Sequence, residues 1–347
     1  MTLLENNLGG SGVYARALVA ALERRDDIDL VLMSAPRHRG GIGTLNWLLR
    51  GARARLVEDR PAAVHYPGFL APLNSPVASV ITIHDLALGR MPEGHPLEWR
   101  LYYQHWLPRV ARRATAVLTA TETTKRELIS TFGVSAERIA VTPYGIDAQF
   151  FAHAPRSPRD ASRPVVVFAG PPIRRKNLDL VLRALASAAA GTAVRRAHLM
   201  ITGSSAEDHP AYRQWIATHG LAERVSWLGA MPFEKLPGIY AGADALAYPS
   251  FIEGFGFPPL EAMAVGTPVV ASNASCLPEV LGDGAMLIDP NDDDAFASAL
   301  ESVLTGPELR EKLIQLGTAR ARTFTWERCA EMTVALYRRI AGDYVRV

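Results

Sequence analysis

Cysteine, net charge and long apolar runs are all scarce in this chain of 347 residues, and each shortage excludes something. Two cysteines, Cys276 and Cys329, cannot build a disulfide framework. The fold must therefore rest on a packed core, and it suits a reducing compartment. A formal net charge of +2 leaves no basic surplus for a binder dominated by nucleic-acid phosphates. No basic segment precedes a short apolar run, as in a leader peptide, and no apolar run reaches bilayer-spanning length. The expected protein is cytoplasmic. Arginine greatly outnumbers lysine, which genomic base composition explains without a recognition role.

Metal-binding and hydrolase signatures are missing too. No Cys/His cluster has zinc spacing. Asp27 and Asp29 start an expected strand on its wrong edge, and the acids at 292–294 open a helix, where they complement its dipole. No metal is expected. A Gly-x-Ser-x-Gly nucleophile elbow is also lacking.

What is present is a steady alternation. Apolar β-branched runs and helical patterns follow one another almost throughout, which predicts an α/β fold with parallel sheets covered on both faces. Strands are expected at 28–33, 63–65, 77–84, 116–120, 139–142, 165–169, 197–202, 225–228, 243–248, 269–272 and 285–288. The main helices are expected at 13–24, 44–59, 98–114, 123–132, 178–189, 209–219, 233–241, 259–265, 292–304, 307–323 and 326–346. Only residues 2–4 remain for a strand ahead of the first helix. The stretch 151–164, rich in Pro, Arg, Ser and Asp, breaks the rhythm and reads as a linker between two domains of similar size.

Chemistry concentrates in a few places. Glu253 and Glu261 sit eight residues apart around a Gly/Phe/Pro loop. Pro258 and Pro259 suit a first helical turn, where a missing N–H costs nothing. The helix end then offers free N–H groups and partial positive charge to an anion, with Glu261 expected in that first turn. The loop from Gly170 to Asn177 follows a strand, where open α/β sheets bind ligands. Its Arg174, Arg175 and Lys176 could neutralise a diphosphate. Gly9, Gly10 and Gly12 open the first helix, and their amides could approach the same diphosphate. His84 ends the strand at 77–84 and is a candidate at a carboxyl edge; His65 is taken as structural. Glycosidases also use paired carboxylates, but a neutral glycan needs no basic clamp.

A last feature lies on the surface. Residues 37–60 hold six arginines against Glu58 and Asp59, and the helix at 44–59 carries Leu45, Trp47, Leu48 and Leu49. Such a helix can lie on anionic lipid; an ordinary solvated helix reads the same way.

Together, Glu253 and Glu261, Arg175-Lys176-Asn177, His84-Asp85 and the glycine-rich start at 9–14 resemble the family-4 retaining glycosyltransferases with the GT-B fold. Secondary matches are Pro143-Tyr144-Gly145-Ile146-Asp147, Leu236-Pro237 with Tyr240 and Asp244, and Leu277-Pro278-Glu279. They keep the family's order over nearly the whole chain. The resemblance implies two Rossmann-like, doubly wound domains with a donor cleft between them. Residues 1–152 would form the acceptor-side domain, 153–325 the nucleotide-sugar domain, and 326–347 a helix crossing back to the first. It further implies that Glu261 binds ribose hydroxyls, and that Glu253 with the backbone of Phe255, Gly256 and Phe257 holds the donor sugar. Arg175, Lys176 and the Gly170 loop would bind the diphosphate, and Met231 would lie near the base. His84 would face the sugar. No cofactor is implied. The reaction would move a hexose from a nucleoside-diphosphate sugar, with GDP-mannose favoured by the branch, to a hydroxyl of a glycan or lipid-linked acceptor of surface polysaccharide. A nucleotide-sugar epimerase or a non-catalytic nucleotide-sugar-binding subunit are the rivals on the same fold. Two departures stand out: the abbreviated first strand, and Pro171 where some branches carry a further arginine.

Overall fold

The computed structural model of the chain describes residues 9–33, 47–93, 95–152, 160 and 162–342. The chain divides into two compact units, one of Met1–Gly145 with Phe324–Val347, the other of Ile146–Thr323.

The first unit is built on a parallel sheet in the order β1 (Ala63–Tyr66), β2 (Ala78–Thr82), β3 (Ala116–Thr119), β4 (Ile139–Val141). β3 is buried along its whole length, as a sheet covered on both faces requires. The helix Gly10–Glu23 buries Tyr14, Ala15, Leu18, Ala21 and Leu22, one face of a 3.6-residue period. The helix Trp326–Ala341 packs against it and β1. Thr325 caps that helix by accepting from the Arg328 N–H at 3.2 Å. Tyr144 stacks on Trp326 with ring centroids 6.3 Å apart. A Cβ on Gly145 would lie 2.2 Å from the Trp326 nitrogen, so only glycine fits there.

The strand expected at 28–33 does not form: the segment is irregular, with Val31 61% and Leu32 49% exposed. An apolar run becomes a strand only if it finds an edge to pair with. Here Asp27, just before it, is tied to Arg25 at 2.5 Å and to Arg338 at 2.6 Å, and among the described residues the stretch after it belongs to no sheet. The short strand at 2–4 lies outside the described residues. The helix expected at 44–59 is described from Trp47: a π-helical turn over Trp47–Gly51, then Ala52–Asp59. Trp47 packs against the core of this unit and is not free for lipid. Leu45 lies outside the described residues.

The second unit carries six parallel strands: β5 (Val165–Ala169), β6 (His198–Thr202), β7 (Val225–Gly229), β8 (Ala245–Tyr248), β9 (Val269–Ser272) and β10 (Met286–Ile288). Their order in the sheet is β10-β9-β8-β5-β6-β7. β5 comes first in the chain and pairs with both β6 and β8. The chain therefore winds outward to β7, returns, and winds outward the other way. The reversal falls between β5 and β8, and a crevice outside the carboxyl ends of two such strands is where doubly wound sheets hold ligands. At the opposite, amino end, Asp244 bonds the backbone of Val165 through both its carboxylate and its N–H, each at 2.7 Å. Arg310 donates to the Asp244 carbonyl at 2.5 Å. Asp244 thus pins the start of these strands, on the edge away from the ligand loops.

Among the described residues no helix is long and apolar enough to cross a membrane. Nor, among them, do three or more His, Cys, Asp or Glu side chains gather as a metal site.

Candidate active site

The loops leaving β5 and β8 meet at the switch point. Gly170 takes φ +110°, and Gly203, after β6, takes φ +92°. A Cβ on Gly203 would stand 2.9 Å from the Gly170 carbonyl carbon, so the two backbones touch and exclude any side chain. A 3-10 turn over Arg174–Lys176 follows, and Asn177 adopts the left-handed conformation at φ 59°. The Asn177 amide then donates to the Pro249 and Pro290 carbonyls at 3.2 and 2.9 Å. The Phe251 N–H donates to the Arg175 carbonyl at 2.8 Å. These bonds sew the β5 loop to the β8 loop.

The result is a buried charge cluster. Glu253 Oε1 lies 2.7 Å from Lys176 Nζ and 3.0 Å from Arg175 Nη1. Arg175 also donates to the Ile252 carbonyl at 3.2 Å, and Lys176 donates to the Tyr248 hydroxyl at 2.5 Å. Burial pushes the Glu253 carboxyl up, but Lys176 and Arg175 outweigh it and hold its pKa at about 2. Glu253 is therefore an anion at any working pH. Ser275 and Cys276 bond its carbonyl at 2.8 and 3.1 Å and fix its backbone.

After Glu253 the chain turns at Gly256, φ +89°, into the helix Phe257–Ala264. Phe255 and Phe257 meet edge to face, 5.2 Å apart. Pro258 and Pro259 sit in the first turn, where a missing N–H breaks no intrahelical bond. Glu261 is the fifth helical residue and not, as expected, part of that first turn, because the helix begins at Phe257. It points inward: it is 5% exposed and hydrogen-bonded to the Tyr240 hydroxyl. Burial pushes its pKa up to about 8; the Tyr240 bond opposes this and the nearby Asp147 reinforces it. The two glutamates are thus unlike. One is held charged by two cations, and the other is held neutral at pH 7 by burial. Tyr240 itself stacks on Phe150 at 6.2 Å. Met231 is half-buried in the segment that follows β7.

The remaining site candidates belong to the first unit. His84 lies just past the carboxyl end of β2 and is buried. Its Nδ1 meets the Tyr144 hydroxyl at 2.7 Å and its Nε2 the Pro67 carbonyl at 3.2 Å. Burial pulls its pKa down to about 4 despite Asp85 and the Pro67 carbonyl. The ring is neutral at pH 7, with the proton on Nε2 and Nδ1 accepting from Tyr144. Gly9 caps the helix Gly10–Glu23, and Gly12 is buried. Two turns of sequence motif are joined here, since Tyr14 packs edge-on against His84 at 5.1 Å. His65, expected as structural, bridges Thr82 at 2.7 Å and Tyr337 at 2.5 Å.

The structure brings Arg175, Lys176 and Glu253 into one cluster. It adds Tyr248, which periodicity alone counts as the end of an apolar strand. The signal was its position: a polar ring atom at a carboxyl strand end, immediately before Pro249.

Comparison with known proteins follows the same division. The pattern described as Glycosyl transferases group 1 matches residues 150–320, and that described as Glycosyltransferase Family 4 matches residues 8–150. O-antigen chain mannosyltransferase B of Escherichia coli is 33% identical over 79% of this chain and 73% of its own length. Alpha-maltose-1-phosphate synthase of Mycolicibacterium smegmatis is 30% identical, covering 96% of each chain. The solved sucrose-phosphate synthase of Thermosynechococcus elongatus shares the fold, with a TM-score of 0.75 and 21% identity over 95% of this chain and 93% of that one. The chain belongs to the family-4, group-1 glycosyltransferases of the GT-B fold, and it is a glycosyltransferase.

Proposed function

We propose that this enzyme transfers mannose from GDP-mannose to a hydroxyl of a glycan or lipid-linked saccharide, with retention and without a metal. The observation that carries the reading is the Arg175–Lys176–Glu253 cluster at the β5/β8 switch point, with Lys176 and Glu253 buried and Arg175 partly exposed. Breaking the sugar–phosphate bond leaves negative charge on the departing diphosphate. Two cations fixed beforehand in a low-dielectric site stabilise that charge more in the transition state than in the ground state. The positive end of the helix Phe257–Ala264 adds to it. Arg175 and Lys176 thereby take the part a divalent metal plays elsewhere. Glu253, an anion, suits the hydroxyls of the donor sugar, and Glu261 suits the ribose. Met231 is assigned to the base, the Phe255–Gly256–Phe257 backbone to the sugar, and Gly170 to the approach of the diphosphate. His84, neutral at pH 7, would serve as a hydrogen-bonding group.

The sugar is inferred from the mannosyltransferase among the relatives. Surface polysaccharide synthesis at the cytoplasmic face of a membrane fits the same relative. The exposed Arg50, Arg53, Arg55 and Arg60 would meet anionic lipid there, which sedimentation with anionic and neutral vesicles checks.

The deciding experiment is a panel of nucleotide sugars, screened by thermal shift and then for nucleoside-diphosphate release with and without saccharide acceptors. Release from GDP-mannose that rises with acceptor supports the reading. Turnover of a different donor alone overturns the mannose assignment, and release that demands magnesium overturns the metal-free one.

A further inference from the structure

Tyr248 closes β8 with its side chain buried at the charge cluster. Its hydroxyl takes a hydrogen bond from Lys176 Nζ at 2.5 Å, and the same ammonium lies 4.5 Å from the centre of its ring. Glu253 Oε1 stands 2.7 Å from that nitrogen, and burial, then the carboxylate's charge, pushes the Tyr248 pKa up. Proton direction is not free in this triangle. An ammonium only donates and an ionised carboxylate only accepts, so Lys176 donates to the Tyr248 hydroxyl and to Glu253 alike. A bond with one ionised partner is short and strong, and each member polarises the next.

We propose that Tyr248 is a positioning residue that holds Lys176 and Glu253 in register, so that the cation for the leaving diphosphate and the carboxylate for the sugar are set by one hydroxyl. This rests on the roles given above to Lys176 and Glu253. Lysine is a point charge on a flexible four-carbon stem, and nothing in its own chemistry fixes where its nitrogen sits. The strand that carries Tyr248 is central in the sheet and buried throughout, so the hydroxyl is a rigid reference. When the diphosphate draws Lys176, the bond to Tyr248 keeps the nitrogen from following the phosphate freely. When Glu253 turns to the sugar, it leaves a hydroxyl that still faces the lysine. Substrate recognition and leaving-group stabilisation are thereby linked through one side chain that touches neither.

The test uses Tyr248→Phe, which removes one oxygen and keeps the ring under the ammonium. The chain has four lysines, so the Lys176 ammonium signal in nitrogen-15 spectra of unliganded protein is assigned by its loss in Lys176→Ala. In Tyr248→Phe that signal should broaden or shift; an unchanged signal overturns the proposal. With GDP-mannose, kcat should fall about tenfold while donor KM changes less than about twofold. In the Lys176→Ala background the same substitution should cost less than about twofold more. An equal loss in both backgrounds marks a merely structural role and overturns the proposal, as does wild-type kcat. A wild-type enzyme inert toward GDP-mannose refutes the donor assignment instead, and the ammonium signal still decides the role of Tyr248.

Discussion

Glu261→Gln should make the protein more stable and a poorer binder of nucleotide. The side chain is almost fully buried, and its pKa is raised from an ordinary 4.5 to about 8, first by burial. Below 4.5 the carboxyl is protonated in both folded and unfolded chains and adds nothing to pH dependence. Between 4.5 and about 8 the unfolded chain ionises and the folded one does not, so stability falls as pH rises. Above about 8 both are ionised and the loss stays constant. That raise corresponds to a cost of about 3 kcal/mol at pH 7, approaching about 5 kcal/mol at high pH. Glutamine has nearly the same shape, can accept from Tyr240, and never ionises. The variant should match wild type near pH 4.5 and exceed it by about 3 kcal/mol at pH 7, or about 6–12 °C in Tm for a unit of this size. The assay is urea unfolding at several pH values, followed through Trp215 and Trp227 of the second unit. Nucleotide titration by calorimetry goes with it. Wild-type affinity should rise with pH toward about 8, because an ionised carboxylate is the better acceptor for ribose hydroxyls, and the variant's should be weaker and flat. A stability difference that is the same at pH 5 and pH 8 would refute the reasoning, whatever its size. The case is one of function stored as instability.

Lys176→Ala should reduce turnover on the identified donor by about a hundredfold or more, since it removes a preorganised charge at the leaving group; full activity would sink its assignment. Gly203→Ala forces a side chain into a left-handed φ and against the Gly170 backbone at 2.9 Å. It should cost about 2–5 kcal/mol and raise donor KM by displacing the Arg174–Lys176 turn, read by unfolding and steady-state kinetics. Incubation with EDTA should leave turnover unchanged, because the two cations do the work of a metal; loss restored by magnesium would contradict this.

The alternation of apolar runs and helical periods carries the α/β class, and strands such as Val165–Ala169 and Val269–Ser272 are readable to the residue, because a strand buried on both faces must be apolar throughout. The motif residues are readable too, since a glycine, a pair of cations and a carboxylate after a strand have few other uses. The segment at 28–33 shows the limit. Its composition is that of a strand, but pairing depends on a free edge, which no local pattern encodes. Tyr248 and Tyr240 show the same limit at the site. Tyr248 reads as the end of an apolar strand and Tyr240 as a helix position; only packing brings the first to the Lys176–Glu253 pair and the second, on the helix Leu236–Ala241, to Glu261. The order of residues sets which groups are present: two glutamates, an Arg-Lys pair and a helix with prolines in its first turn. Tertiary structure alone decided their states. It placed one carboxylate between two cations and buried the other beside a tyrosine. A side chain's charge depends on partners and solvent exposure, and both come from residues far away in the chain.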